Sequence, residues 1–160
     1  MKKSEGDFMN YKEFFNELIN YNEFYHKGLK KQANNHIKNV AEKINNLNEE
    51  NKNEILYNFV KNLCDSEELD FIKKRGNADI PFALKCCVEE WLLKRCLKHN
   101  MPELRWYYEI FRNDVKGSEN AVEFLQEAYQ SSECDEKTVN LLLNSELDFL
   151  GWGAHHFPQG

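Results

Sequence analysis

The sequence predicts an all-α fold: a single-domain bundle of about eight helices arranged around a central apolar helix near residues 81–99. Three observations predict it. Apolar residues recur at spacings of three and four almost everywhere, which places them on one face of a helix. No run alternates with period two over strand length, and no Asn-Gly or Asp-Gly dipeptide marks a hairpin. Three prolines and seven glycines in 160 residues leave little irregular loop.

Tyr11, Phe14, Leu18 and Tyr25 stand at i, i+3, i+7 and i+14, with Phe15 and Ile19 widening the stripe, and Gly28 is the expected stop of this first helix. Tyr21 and Phe24 on the same helix exceed what one apolar face needs and are expected to be exposed, as interface aromatics often are. The second helix carries Leu29, Ala33, Ile37, Val40, Ile44 and Leu47 at spacings of 4, 4, 3, 4 and 3. Ile55, Leu56, Phe59, Val60, Leu63 and Cys64 mark a third. Asp65 with Glu68 has the form of a capping box, opening a short fourth helix that Gly76 closes.

Asp79-Ile80-Pro81 reads as the cap and first turn of the fifth helix, where proline loses no intrahelical bond. Phe82, Ala83, Leu84, Cys87, Val88, Trp91, Leu92, Cys96 and their neighbours leave it only a narrow polar strip. A helix apolar nearly all round is normally enclosed by others. Pro102 starts the sixth, with Leu104, Tyr107, Tyr108 and Phe111 facing inward. Ser118 is read as the cap of the seventh, on which Val122, Leu125 and Tyr129 form the apolar face. The eighth begins near Asp135 with Val139, Leu142 and Leu143. One domain, 1–160, is of ordinary size for a buried core; successive helix pairs leave α-solenoid stacking as the alternative.

Hydrophobic residues at 41% and charged residues at 30% describe a globular chain. Residues 1–7 have no apolar run behind their lysines and so are not a signal peptide, and no stretch approaches the roughly 18 uncharged apolar residues of a membrane span. Five cysteines without a C-x-x-C pair read as reduced thiols, so the expected compartment is cytoplasmic. A net charge of −6 argues against nucleic acid and anionic membrane as partners. The charge is uneven. Residues 1–80 carry 13 basic and 14 acidic side chains; within Asp114–Asp148 only Lys116 and Lys137 oppose nine acids.

No catalytic motif is present: there is no G-x-S-x-G, no P-loop and no G-x-G-x-x-G. No cofactor is implied. His155 and His156 are adjacent, so on a helix they diverge and cannot both face one metal, as residues at i and i+4 do. A small enzyme or metal protein using one of them is the alternative, and a helical-repeat scaffold is a further one. His26 and His99 fall in the last turns of their helices, where an imidazolium suits the dipole, and His36 lies at the edge of an apolar stripe as a packed histidine. A Cys–His pair brought together in space stays open, although buried thiols are inert.

The acidic region is the better lead. Glu119, Glu123 and Glu127 repeat every four residues, and like charges at that spacing oppose the helix by roughly 0.2–0.5 kcal/mol per pair. Glu133, Asp135 and Glu136 extend the negative field. A plain solvated face explains such a run, as does packing against the lysine-rich helix of residues 26–43. A docking surface for a basic partner explains it too, since complementary fields select partners and speed association. Beyond it, Leu143, Leu147, Leu150, Ala154 and Phe157 keep spacings of 4, 3, 4 and 3, which carries the last helix through Gly151 and Gly153; the other reading stops it at Leu150. Continuation is preferred, as a packed helix showing Asp148, Trp152 and His155 on a neighbouring face, with His156 displaced by one position.

This tail, with Leu147-x-x-Leu150, His155-His156, Phe157-Pro158 and Gly160, resembles the C-terminal ends of small bacterial immunity proteins of contact-dependent toxin systems. The resemblance covers about a tenth of the chain and carries over no functional residues. It implies a cytosolic, acidic, non-enzymatic protein that neutralises one cognate toxin, and many such toxins are basic nucleases. The expected function is therefore protein–protein binding through Glu119, Glu123, Glu127, Glu133, Asp135, Glu136, Asp148, Trp152, His155 and His156.

Overall fold

In a computed structural model the chain is described at residues 8–73, 80–114 and 116–156, the last six of these by their backbone alone. The described residues form seven α-helices and no strand: α1 (Tyr11–His26), α2 (Lys30–Asn45), α3 (Glu49–Asp65), α4 (Phe82–Cys96), α5 (Glu103–Phe111), α6 (Ser118–Gln130) and α7 (Glu136–His156). A 3-10 turn, Asp70–Ile72, stands where the sequence suggested a fourth helix. The capping box there is not formed. Asp65 is instead the last residue of α3, and it is Ser66 whose hydroxyl accepts the Glu68 N–H at 3.0 Å. Gly76 and Asp79 lie outside the described residues.

The chain divides into two compact units, Met1–Lys94 and Arg95–Gly160. In the first, α1, α2 and α3 pack through the faces their spacing predicts. Phe14, Leu18 and Tyr21 are buried on α1, and Phe14 meets Phe59 of α3 edge-on at 5.2 Å between ring centres. Tyr21 is thus core, while Tyr25 at the helix end is exposed and Phe24 is half-buried against the His36 ring. Asn10 and Asn48 cap α1 and α3, each side-chain oxygen accepting an N–H three residues on at 2.8 Å.

Gly28 ends α1 as its position predicts. At φ +77° it takes the left-handed conformation; its N–H reaches the Tyr25 carbonyl and the Leu29 N–H reaches that of Phe24. These two bonds satisfy carbonyls the helix end leaves without partners, in a Schellman arrangement. The same device recurs after α4 with histidine in the glycine position: His99 has φ 60°, its N–H bonds to Cys96 and the Asn100 N–H to Arg95.

α4 is less enclosed than its composition suggests. Leu84, Cys87, Val88, Trp91, Leu92 and Cys96 are buried, but Phe82 is 82% exposed and Leu97, past the helix end, 64%. The helix buried nearly all round is α5, in the second unit: of its nine residues only Glu109 escapes the buried class. Its interior includes charge. Glu103 receives the Arg95 Nε at 3.0 Å, and Arg105 donates to Glu109 at 2.8 Å and to Asp135 at 3.1 Å. These pairings are what allow charged side chains inside the enclosed helix.

α6 packs on α5 through Ala121, Phe124, Leu125 and Ala128, with Phe124 edge-on to Tyr107 at 5.0 Å. Val122 and Tyr129, read as part of that face, sit on its shoulder and are 41% and 51% exposed. Ser118 is the first residue of α6 rather than its cap; Gly117 holds the cap position without a side-chain bond. α7 is helical through Gly151 and Gly153, as the spacing of its apolar residues indicated. No helix among the described residues is long and apolar enough to cross a membrane.

Candidate functional site

The amphipathic pattern of α6 decides where its acids go. With Ala121, Phe124, Leu125 and Ala128 turned inward, a helix of 3.6 residues per turn directs Glu119 and Glu123 away from the core. Both are exposed. Glu127 has a different role. It is half-buried, and its Oε1 meets Nδ1 of His99. The left-handed turn at His99 brings that imidazole to α6, so one of the three stripe carboxylates already has a partner inside the unit.

The remaining acids divide in the same way. Asp135 is the cap of α7. Its Oδ1 accepts the Thr138 N–H at 2.8 Å and the Thr138 hydroxyl at 2.5 Å, while Oδ2 accepts the Arg105 Nε. Burial alone pushes this carboxyl upward, but the Thr138 bonds and the Arg105 guanidinium outweigh it and hold Asp135 below the usual carboxylate range. Glu133, Glu136 and Asp148 are exposed, and like Glu119 and Glu123 they have no ion-pair partner among the described residues. Lys137, one of the two lysines in this acidic stretch, is engaged at 2.8 Å by Glu109. The exposed acids are therefore not offset by it.

The structure adds an apolar element that the sequence reading placed in the core. Val139, Leu143, Leu147 and Leu150 follow each other by 4, 4 and 3 residues along one face of α7, and are 41%, 52%, 54% and 65% exposed. Among the described residues α7 is anchored in its first turns, by buried Thr138 and half-buried Leu141, Leu142 and Ser145. So the terminal helix is present but its leucine stripe is not packed. Successive residues turn by about 100°, so Asp148 points well away from this stripe, while Glu136 and Glu146 lie on or beside it. The side chains of Trp152, His155 and His156 lie outside the described residues.

Two of the described thiols are held away from nucleophilic chemistry. Cys87 donates to the Asn45 amide oxygen at 3.4 Å and to the Ala83 carbonyl, and Cys96 donates to the Glu103 carbonyl at 3.5 Å. Burial pushes both thiols up, and for Cys96 the Glu103 and Glu127 carboxylates push the same way. Such thiols stay protonated and inert. His36 pairs with Glu17 at 2.9 Å. Among the described residues no group of three or more His, Cys, Asp or Glu is placed to hold a metal ion.

A second surface feature belongs to the first unit. Residues of α1, α2 and the start of α4 line an open groove of about 810 Å³. Ile37, Ala41 and Ile80 form its buried floor, and Tyr25 and Phe82 its exposed aromatic walls. Nothing in the spacing of any one helix announces this groove, because it needs the start of α4, distant in the chain, beside the consecutive helices α1 and α2. No protein-family model, no curated protein and no solved structure matches the chain.

Proposed function

We propose that this chain is a non-enzymatic binding protein whose α6–α7 surface docks a basic protein partner. The observation that carries the reading is the apolar stripe of α7, exposed at Val139, Leu143, Leu147 and Leu150, with Glu136 in line and Glu146 alongside. Monomeric proteins rarely leave a contiguous apolar face uncovered, and such faces mark interaction sites. An apolar centre rimmed by charge of one sign is the arrangement of a specific interface. The tail's likeness to immunity proteins supports a toxin as the class of partner, and a basic nuclease suits the charge. Glu119, Glu123, Glu133 and Glu136, with Glu146 beside the stripe, supply the field, and Leu143 and Leu147 the apolar contact; Asp148 faces away from it. Glu127 and Asp135 serve the fold.

Affinity capture from the native host tests this, using the wild-type chain, Glu119→Ala/Glu123→Ala and Leu143→Asp/Leu147→Asp, each first checked for helical content. The expected result is one basic protein recovered by the wild type, released as salt rises and weakened in both variants. Equal recovery of that protein by both variants would rule out this surface.

A further inference from the structure

The groove of the first unit and the exposed stripe of α7 have opposite character. We infer that α7 of one molecule docks in this groove on a second copy of the same chain. Among the described residues the groove's rim carries Lys30 and Lys38 against one acid, Glu42. Lys30 lies over the Tyr25 ring at 5.9 Å, so a cation borders the apolar wall directly. Opposite in kind, α7 presents Val139, Leu143, Leu147 and Leu150 with Glu136 in line and Glu146 alongside. Its 21 residues extend about 30 Å, long enough for the stripe to lie along a groove rather than touch it at one end.

Charge selects this pairing over the symmetric one. Two α7 helices laid face to face would set two negative stripes against each other, each carrying Glu136 and Glu146 and no cation among the described residues of that face, and repulsion between like fields disfavours such a contact. Against the lysine rim the same carboxylates are attracted. The resulting contact joins two different surfaces, so it is head-to-tail and either closes a ring or extends a chain of molecules. It rests on the same α7 face as the proposed partner binding, but does not require that partner. Partner and second copy would then compete for the stripe.

The test is analytical ultracentrifugation of the full reduced chain across a concentration series at low and high salt, with Lys38→Glu, Glu146→Lys and their equimolar mixture. The wild type is expected to self-associate, with an affinity falling about tenfold or more as salt is raised. Each charge reversal alone should weaken association by a similar factor. The mixture should restore it, because the reversed groove then meets the reversed helix and the two unaltered surfaces meet each other. As a second readout, Cys86, exposed on the groove, should react with a maleimide more slowly as association proceeds, and should keep its monomer rate in Leu147→Asp. A wild type that stays monomeric throughout overturns the inference and leaves partner binding standing. Association that ignores Lys38→Glu overturns it as well, in favour of a symmetric α7 contact.

Discussion

The Nε of Arg105 lies 3.1 Å from Oδ2 of Asp135, which joins a guanidinium buried on α5 to the carboxylate that caps α7. This contact and the Thr138 bonds hold Asp135 ionised below the usual range. The sign of the pH effect follows. A carboxyl depressed in the folded state contributes its full stability above its unfolded pKa, about 3.9, and loses it as pH falls toward the lower folded value. Urea unfolding of the wild type should therefore show a steeper decline below about pH 4 than Asp135→Asn, which can still cap but cannot ionise. At neutral pH, Asp135→Ala should lose about 1 kcal/mol more than Asp135→Asn, the worth of the cap.

Arg105 itself is 5% exposed and Glu109 only 12%. Removing one member of a buried ion pair costs about 3–5 kcal/mol when the other is stranded; Glu109 keeps Lys137, so the low end of that range applies. Arg105→Ala should destabilise the second unit by about that amount in urea. Arg105→Lys should recover only part, because a single ammonium cannot present the planar fork that reaches Glu109 and Asp135 together. A loss below about 1 kcal/mol for Arg105→Ala would place the network among weak surface pairs instead.

The two left-handed turns give opposite expectations. A Cβ added at Gly28 would meet nothing within 4 Å, so Gly28→Ala tests backbone strain alone and should cost about 1–2 kcal/mol. His99 already carries that strain at φ 60°. His99→Gly should relieve it and lose the Glu127 contact, so it should fall well short of the Gly28→Ala penalty. Thermal unfolding of the two variants measures the contrast.

Two phenylalanines separate composition from burial. Phe59 is wholly buried against Phe14, and Phe59→Ala should cost about 3–5 kcal/mol. Phe82 is 82% exposed, and Phe82→Ala should change stability by no more than about 0.5 kcal/mol. Chemical denaturation of both variants is the measurement.

Phe82 also shows what the sequence could and could not reveal. Periodicity located the seven α-helices of the described residues and most of their buried positions, because the spacing that buries Ala33, Ile37, Val40 and Ile44 is local to one helix. It also carried α7 through two glycines. It could not tell which apolar residues find a neighbour, since that depends on elements distant in the chain. Phe82 and the α7 leucines are therefore expected in the core and are not there, and the enclosure of α5 rests on charge pairs of Glu103 and Arg105 that no spacing announces. The candidate site was legible in part. Its acids are visible in the charge count, but the pairing of Glu127 with His99 needs a left-handed turn that a histidine does not announce. The groove left no local signal at all.

The division of the acidic stripe into free and engaged carboxylates can be measured on stability alone. Glu119 and Glu123 are four apart, exposed and unpaired among the described residues, so they repel one another along α6. Relieving that pair should stabilise the helix by roughly 0.2–0.5 kcal/mol, and Glu123→Gln, which unlike Glu119 lies outside the first turn where the helix dipole favours an acid, should raise the melting temperature slightly at low salt. The gain should disappear at high salt, because both charges are solvent-exposed and screened. Glu127→Gln relieves a similar repulsion from Glu123 but gives up the His99 contact, so it should bring no increase at either salt. Thermal melts of the two variants at low and high salt separate these outcomes. An equal rise for both would mean that His99 does not hold Glu127, and would return Glu127 to the docking surface with the other two.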